Sequence, residues 1–128
     1  MRFIVTGCGR TGAGLARTLD TAGHQVAVID SDETAFERLG STFRGTTVHG
    51  VGFDRPVLER AGIRGCDVVA AVTGADETNL VVCSLARFEF SVPRVIARIV
   101  DPVNAWMYEE DMGVDVALNQ ADLLAHLV

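Results

Sequence analysis

Short β-branched runs alternate with longer helical patterns along the whole of this 128-residue sequence. Such alternation is typical of repeated strand–helix–strand units that build one parallel sheet. We expect strands over residues 3–6, 26–29, 46–49, 68–72, 95–100 and 116–118. Because right-handed crossovers fix the order of such units, the sequence predicts a doubly wound α/β fold with six strands in the order 3-2-1-4-5-6.

Capping residues and glycines bound the helices between these strands. We expect helices over residues 11–22, 33–39, 55–61, 76–87, 102–111 and 121–128. The continuous apolar run over 68–72 indicates a central strand that is covered on both faces. Because no linker interrupts the pattern, we expect one domain over residues 1–118, with residues 119–128 leading into a further helix.

Charge and composition disfavour several kinds of partner. The chain has eleven Arg, no Lys and seventeen Asp plus Glu, for a net charge of −6. With no basic run, a nucleic-acid partner is not expected. No apolar run approaches the roughly 18 to 20 residues that span a bilayer, and the sequence does not start like a signal peptide. We expect a soluble, cytoplasmic domain without direct membrane insertion.

Cys8, Cys66 and Cys83 lack Cys-x-x-Cys spacing and are expected to be reduced, structural thiols.

A glycine-rich run lies between the first expected strand and the first expected helix: Gly7-Cys8-Gly9-Arg10-Thr11-Gly12. In this context a G-x-G-x-x-G run predicts a Rossmann-like phosphate-binding loop. Gly7 permits the tight turn, Gly9 lets the backbone approach a diphosphate, and Gly12 lets the helix pack closely on the strand. The phosphates would lie at the positive helix N-terminus. The alternative is that the three glycines only serve turns.

Asp30 ends the second expected strand, eighteen residues after Gly12. A carboxylate at this position accepts hydrogen bonds from ribose hydroxyls and repels a 2′-phosphate. NAD(H) or another adenosine nucleotide is therefore favoured over NADP(H). Arg10 either binds a phosphate through its guanidinium or is an exposed arginine on the first helical turn.

Thr73 and Gly74 follow the fourth expected strand, at the crevice where the strand order reverses, so a bound ligand would contact them. We expect Asp76 to cap the helix that follows, and His49 to be a solvated loop histidine. Hydride transfer requires a His, Tyr or Lys placed near the nicotinamide. The sequence places none there, so it favours nucleotide binding without catalysis. The alternative is the cofactor half of an NAD-dependent oxidoreductase.

Further motifs follow the glycine loop and Val28-Ile29-Asp30. In order they are Gly50, Pro56-Val57-Leu58-Glu59-Arg60-Ala61-Gly62-Ile63, Ala71-Val72-Thr73, Asp76-Glu77-Thr78-Asn79 and Ile96-Ala97-Arg98. Over nearly all 128 residues this order resembles the RCK or KTN domain, the TrkA-N type of regulatory domain of bacterial potassium channels and transporters. The resemblance implies a cytoplasmic Rossmann module that binds NAD(H) or ATP/ADP. Such a module dimerises, assembles into a ring, and changes shape to control potassium flux through a partner in the inner membrane.

The resemblance also extends the set of candidate site residues. By position Arg10 looks like the family's phosphate-contacting arginine, while Thr73 and Arg98 look like pocket-lining residues. The full candidate set for cofactor binding is Gly7, Cys8, Gly9, Arg10, Thr11, Gly12, Asp30, Ser31, Thr73, Gly74 and Arg98. We expect no catalytic residue and no metal ligand. Family members continue through a crossover helix into a C-terminal ligand domain, so residues 119–128 are expected to begin that helix, in either a truncated chain or a solo N-domain.

Two positions depart from the family pattern. The family usually has an Asp directly after Gly50, where this chain has Val51, and often a Pro-Glu pair after the sixth strand, where it has Asn119-Gln120. We therefore carry over neither an adenine-side carboxylate nor a metal-linked carboxylate.

The late helices are more apolar than packing on one sheet requires. Over 76–87 the middle turns leave almost no polar face, and the next helix carries Val103, Trp106, Met107 and Tyr108. The segment over 121–128 adds an apolar stripe. Large apolar groups on several faces are favoured in interface cores. The sequence therefore predicts a two-fold homodimer built on the helices after the fourth and fifth strands; packing within one monomer is the alternative.

Overall fold

A computed structural model describes residues 1–107 and 112–119 of the chain. In these residues six parallel strands form one sheet in the order β3-β2-β1-β4-β5-β6. The strands are β1 (Arg2–Thr6), β2 (Gln25–Asp30), β3 (Thr46–His49), β4 (Val68–Ala71), β5 (Arg94–Ile99) and β6 (Val116–Asn119). The predicted Rossmann-like topology is therefore confirmed.

Within residues 1–107 and 112–119, three α-helices and three other helical segments connect the strands. The α-helices are α1 (Arg10–Thr21), α2 (Arg55–Arg60) and α3 (Asp76–Ser84). Glu33–Leu39 and Pro102–Met107 are 3₁₀ helices, and Leu85–Glu89 is a π-helical turn. Residues 108–111 and the helix expected over 121–128 lie outside the described residues. None of the helices within 1–107 and 112–119 is long and apolar enough to cross a membrane.

The sequence predicts a helix over residues 76–87, and the end of this prediction is wrong. The α-helix stops at Ser84, and the chain continues in wider turns, with Phe90 N–H donating to the Leu85 carbonyl at 3.2 Å. The segment around Gly113 passes directly over this end, and the Ser84 hydroxyl donates to the Met112 carbonyl at 3.0 Å. Since that contact joins parts of the chain 28 residues apart, local periodicity does not reveal it.

The core lies on both faces of the sheet. Alternate residues of β1 and β2 supply the two sides: Ile4, Ala27 and Ile29 belong to one apolar cluster, and Val5 and Val28 to the other. All four residues of β4 are buried, as predicted for a central strand. The three cysteines are free thiols and buried.

Candidate nucleotide-binding site

A cleft of about 530 Å³ opens at the carboxyl edge of the sheet, between the ends of β1, β2 and β4. This is the switch point where the chain turns from one half of the sheet to the other, and ligands of doubly wound folds bind there. The lining residues are Thr6, Gly7, Gly9, Ile29, Asp30, Ser31, Val51, Gly52, Phe53, Val72, Thr73, Gly74, Ala75, Thr78 and Arg98. Another cleft, of about 510 Å³, lies at the amino edge beside Arg2 and Arg44 and includes none of the predicted site residues.

The three glycines of the loop differ in what surrounds them. Gly7 has φ +104°, and a Cβ there would lie 2.9 Å from the Thr73 backbone. A Cβ on Gly12 would lie 1.7 Å from the Gly7 carbonyl oxygen. A Cβ on Gly9 would meet no atom within 4 Å, although Gly9 lines the cleft. Gly7 and Gly12 are therefore required by the fold itself, whereas Gly9 keeps open a space that a phosphate would fill.

Asp30 holds the glycine loop in place. Its carboxylate accepts a hydrogen bond from Cys8 N–H at 2.7 Å and another from Asp32 N–H at 2.8 Å. Each oxygen has a second lone pair for a further donor, such as a ribose hydroxyl. Because Asp30 ends β2 beside β1, the sheet itself fixes the distance between the carboxylate and the loop.

The Cys8 side chain turns away from the cleft into the core. Its thiol is buried and donates to the Ala35 carbonyl at 3.3 Å. Burial raises the pKa of the Cys8 thiol, and the nearby Asp30 charge raises it further. Cys8 therefore contributes its backbone N–H to the loop and keeps its sulfur protonated.

Asp32 caps the 3₁₀ helix that follows β2. The Asp32 carboxylate accepts from Thr34 N–H at 3.0 Å and from the Thr34 hydroxyl at 2.7 Å. Both bonds lower the pKa of the Asp32 carboxyl, and the bond from the Thr34 hydroxyl has the larger effect. His49 is exposed, its Nε2 lies 3.0 Å from the Ser31 carbonyl, and it is not among the lining residues. The expectation of a solvated histidine at this loop is confirmed.

Asn79 fixes the opposite wall of the cleft. Its Oδ1 accepts from Thr73 N–H at 2.9 Å and lies 2.7 Å from the Thr73 hydroxyl, while its Nδ2 donates to the Thr73 and Arg98 carbonyls at 3.1 Å each. Asn79 is fully buried. It thereby joins the loop after β4 to the end of β5.

The predicted cap role of Asp76 is wrong. Ala75 occupies the N-cap position of α3, and Asp76 is the first residue of that helix. The buried Asp76 carboxylate instead accepts from Val100 N–H at 2.6 Å, from Asp101 N–H at 2.9 Å and from Asn104 Nδ2 at 2.9 Å. Val100 and Asp101 lie just after the end of β5, so the Asp76 carboxylate binds the N–H groups of that segment instead of capping its own helix.

The structure brings together most of the candidate residues. Seven of them line the cleft: Gly7, Gly9, Asp30, Ser31, Thr73, Gly74 and Arg98. Cys8, Arg10, Thr11 and Gly12 are not among the lining residues. Arg10 is exposed at the first residue of α1. Among the described residues, no group of three His, Cys, Asp or Glu side chains could hold a metal ion.

Seven lining residues that carry a side chain were not among the candidates: Thr6, Ile29, Val51, Phe53, Val72, Ala75 and Thr78. Thr6 is the last residue of β1, and its position at the carboxyl end of a central strand is a usable signal. Thr78 lies in the first turn of α3 and faces the cleft because Asn79 anchors that turn. Nothing local marks Phe53, because its place depends on how the turn after β3 packs.

The sequence and the fold were compared with those of known proteins. The sequence model of the TrkA-N domain family matches residues 3–120. The Trk system potassium uptake protein TrkA of Streptomyces coelicolor is 47% identical over 109 residues, which cover 85% of this chain and 49% of that protein. The TrkA protein of Mycobacterium tuberculosis is 34% identical over 128 residues, which cover 100% of this chain and 58% of that protein. The chain thus spans about half the length of these relatives.

Solved structures share the fold. A Kef C-terminal domain of Shewanella denitrificans in its AMP-bound form superposes with a TM-score of 0.84 at 21% identity, over 99% of this chain and 77% of that one. The GsuK channel bound to NAD superposes with a TM-score of 0.77 at 19% identity, over 91% of this chain and 21% of that one. At these identities the likeness shows the fold alone.

Proposed function

Because this chain belongs to the TrkA-N domain family, we propose that it is the nucleotide-sensing domain of a regulatory protein that controls potassium uptake. Relatives at 47% and 34% identity are Trk potassium uptake proteins. In this proposal the domain binds a nucleotide without transforming it. It acts from the cytoplasm on a channel or transporter subunit in the inner membrane.

One observation carries the proposal: the open space at Gly9 lies beside an anchored carboxylate. A Cβ at Gly9 would meet nothing within 4 Å, and this space faces the N-terminus of α1, where the helix has unpaired N–H donors. Asp30 is held next to it through Cys8 N–H. A diphosphate at the helix end and a ribose on Asp30 would therefore be bound at the same time.

The ligand we propose is NAD(H), with ATP or ADP as the alternative. All of these carry an adenosine 5′-phosphate group, which the glycine loop and Asp30 would hold alike. Solved structures with the same fold are described as bound to AMP and to NAD, which supports this class of ligand. Thr73, Gly74 and Arg98 would contact the part of the ligand beyond the diphosphate.

Calorimetric titration with NADH, NADPH, ATP and ADP tests this proposal. We expect NADH or an adenine nucleotide to bind, and NADPH to bind much more weakly than NADH because the Asp30 carboxylate repels a 2′-phosphate. Failure of every nucleotide to bind at millimolar concentration would contradict the proposal. Equal affinities for NADH and NADPH would show that Asp30 does not face the 2′ position.

A test of turnover separates this function from that of an oxidoreductase module. Among the residues that the structure describes, those lining the cleft include no His, Tyr or Lys side chain, and proton transfer to a carbonyl substrate requires such a group. We predict that NADH consumption with a panel of small carbonyl compounds does not exceed the buffer blank. Sustained turnover would favour the oxidoreductase alternative.

We also propose that the domain forms a two-fold dimer through α3 and the segment after β5, and that such dimers assemble into a ring. Val103 and Trp106 are 75% and 72% exposed, and Val81 on α3 is 44% exposed. Exposed apolar groups of this size on neighbouring elements are typical of an interaction surface. A nucleotide in the cleft contacts the loop that begins α3, so its binding would alter the angle between the two protomers.

A further inference from the structure

The turn after β3 presents two apolar side chains to the nucleotide cleft. Val51 and Phe53 are 41% and 48% exposed, and both line the cleft beside Asp30. Phe53 belongs to neither of the two core clusters. A phenylalanine that remains half open to solvent and faces a ligand cleft is a candidate for contact with the ligand.

The backbone of this turn is held in place from both sides. Gly50 N–H donates to the Asp30 carbonyl at 3.0 Å, and Asp54 N–H donates to the Val51 carbonyl at 3.0 Å. A Cβ on Gly50 would lie 2.5 Å from the Val57 side chain. One on Gly52 would lie 2.3 Å from the Thr6 side chain. Because α2 and the end of β1 press on the two glycines, the residues between and after them stay on the cleft side.

The position of the turn relative to Asp30 determines what it can contact. In the sheet register Asp30 is paired with His49, so the turn begins directly beside the carboxylate proposed to hold the ribose. A base attached to that ribose lies within reach of residues 51–53. The side chains lining this half of the cleft, apart from Asp30, are Ile29, Ser31, Val51 and Phe53. Among these side chains three are apolar, and Ser31 supplies the one hydroxyl.

We propose that Phe53 stacks on the purine base and that the subsite recognises the face of the base rather than its edge, so adenine and guanine nucleotides bind with similar affinity. The proposal rests on the proposed function, since it requires that a nucleotide occupies the cleft. Stacking on an aromatic ring tolerates different bases because every base has a π-face. Discrimination between adenine and guanine requires a donor or acceptor aimed at the edge of the ring.

Titrations of ADP and GDP into the wild-type chain and four variants test this proposal. Phe53→Tyr keeps the ring, Phe53→Leu keeps apolar volume without a π-face, and Phe53→Ala removes both. Phe88→Ala is the matched control, because Phe88 is also an exposed phenylalanine, at 62%, but does not line the cleft. Thermal unfolding of each variant confirms that it is folded.

We expect the wild type to bind ADP and GDP within about fivefold of each other, and Phe53→Tyr and Phe88→Ala to match it. Phe53→Leu and Phe53→Ala should weaken both nucleotides by about tenfold or more, as loss of one base stack predicts. If Phe53→Leu binds ADP as tightly as the wild type, or if GDP binds about a hundredfold more weakly than ADP, the base subsite is not the one proposed. A wild type that binds NADH but neither ADP nor GDP also contradicts the base subsite, whereas a wild type that binds none of the three overturns the proposed function itself.

Discussion

In the glycine loop, some glycines are needed for the stability of the fold and another for ligand binding. Gly7 and Gly12 are enclosed by backbone atoms, whereas Gly9 has open space where a side chain would lie. The same residue type therefore serves two purposes within six positions. A substitution to alanine at each position distinguishes the purposes, because only one of the two kinds of glycine is needed by the empty fold.

We predict that Gly12→Ala destabilises the domain by several kcal/mol, about 3 or more, because its Cβ would lie 1.7 Å from the Gly7 carbonyl oxygen. Gly9→Ala should change the free energy of unfolding by less than about 1 kcal/mol, since φ is −77° and the space is empty. Urea unfolding measures both, and nucleotide titration of Gly9→Ala should show at least about tenfold weaker binding. A Gly9→Ala variant that binds normally would place the phosphates elsewhere.

The buried thiol of Cys83 makes the stability of the fold depend on pH in the alkaline range. Burial raises the pKa of Cys83 to about 12. In the unfolded chain the thiol ionises near its ordinary pKa, so unfolding releases a proton at any pH between these values. The stabilising contribution is full below about pH 9 and is lost as the pH rises toward about 12.

We therefore predict that wild type loses stability relative to Cys83→Ala by about 1.4 kcal/mol per pH unit above pH 9. Urea unfolding of both chains at pH 8 and pH 10 measures this difference. Groups that titrate in both chains cancel in the comparison. A difference that stays constant across this range would mean that the Cys83 thiolate is tolerated in the folded chain.

At the scale of elements, the first turn of α3 links the two strands that form one wall of the cleft. Asn79 bonds the loop after β4 and the end of β5, and Asp76 bonds the segment that follows β5. Both side chains are buried, so their partners have no water to replace them. Two buried polar side chains therefore join the parts of this wall, in addition to the apolar packing between α3 and the sheet.

We predict that Asn79→Ala lowers the free energy of unfolding by about 3 kcal/mol, because it leaves buried backbone groups of Thr73 and Arg98 without their partner. Asn104→Ala is the matched control, since Asn104 makes a single bond to Asp76 and its loss should cost about 1 kcal/mol. Chemical unfolding of the two variants gives the comparison. Equal losses of unfolding free energy in the two variants would show that the Asn79 hydrogen bonds do not hold this wall together.

The strands could be predicted because β-branched runs and turn glycines are local sequence signals. Their order could be predicted because crossovers between parallel strands are right-handed. The same holds for the glycine loop and Asp30, because the loop follows β1 and Asp30 ends the adjacent strand β2. The roles of Asp76 and Asn79 could not be predicted, since these side chains bond backbone groups 24 and 19 residues further along the chain. The place of Phe53 depends on how the turn after β3 packs. Local patterns fix elements, whereas tertiary contacts decide which side chains face a ligand.

At the scale of the whole molecule, the distribution of exposed apolar groups favours self-association. Val103 and Trp106 lie on the segment after β5, and Val81 lies on α3. The nucleotide cleft contacts the loop that precedes α3, so the proposed interface and the cleft share one element. This arrangement would let a ligand change how two protomers meet.

We predict that the wild-type chain sediments as a dimer at micromolar concentration and that Trp106→Arg sediments as a monomer, because a charge in an apolar interface core is not compensated. Trp106→Phe, which keeps an apolar ring, should remain dimeric. Sedimentation velocity distinguishes these states. A monomeric wild type, or a Trp106→Arg variant of unchanged mass, would remove the interface.

The central claim is that a nucleotide binds on the glycine loop with its ribose on Asp30, and one titration tests it most directly. NADH and ADP are titrated into wild type, Asp30→Ala and the control Asp32→Ala, which loses a carboxylate two residues away that bonds Thr34. We predict that Asp30→Ala binds about ten- to a hundredfold more weakly, as loss of a charge-assisted hydrogen bond requires, and that Asp32→Ala binds as the wild type does. Unchanged affinity of Asp30→Ala for both nucleotides would contradict the account.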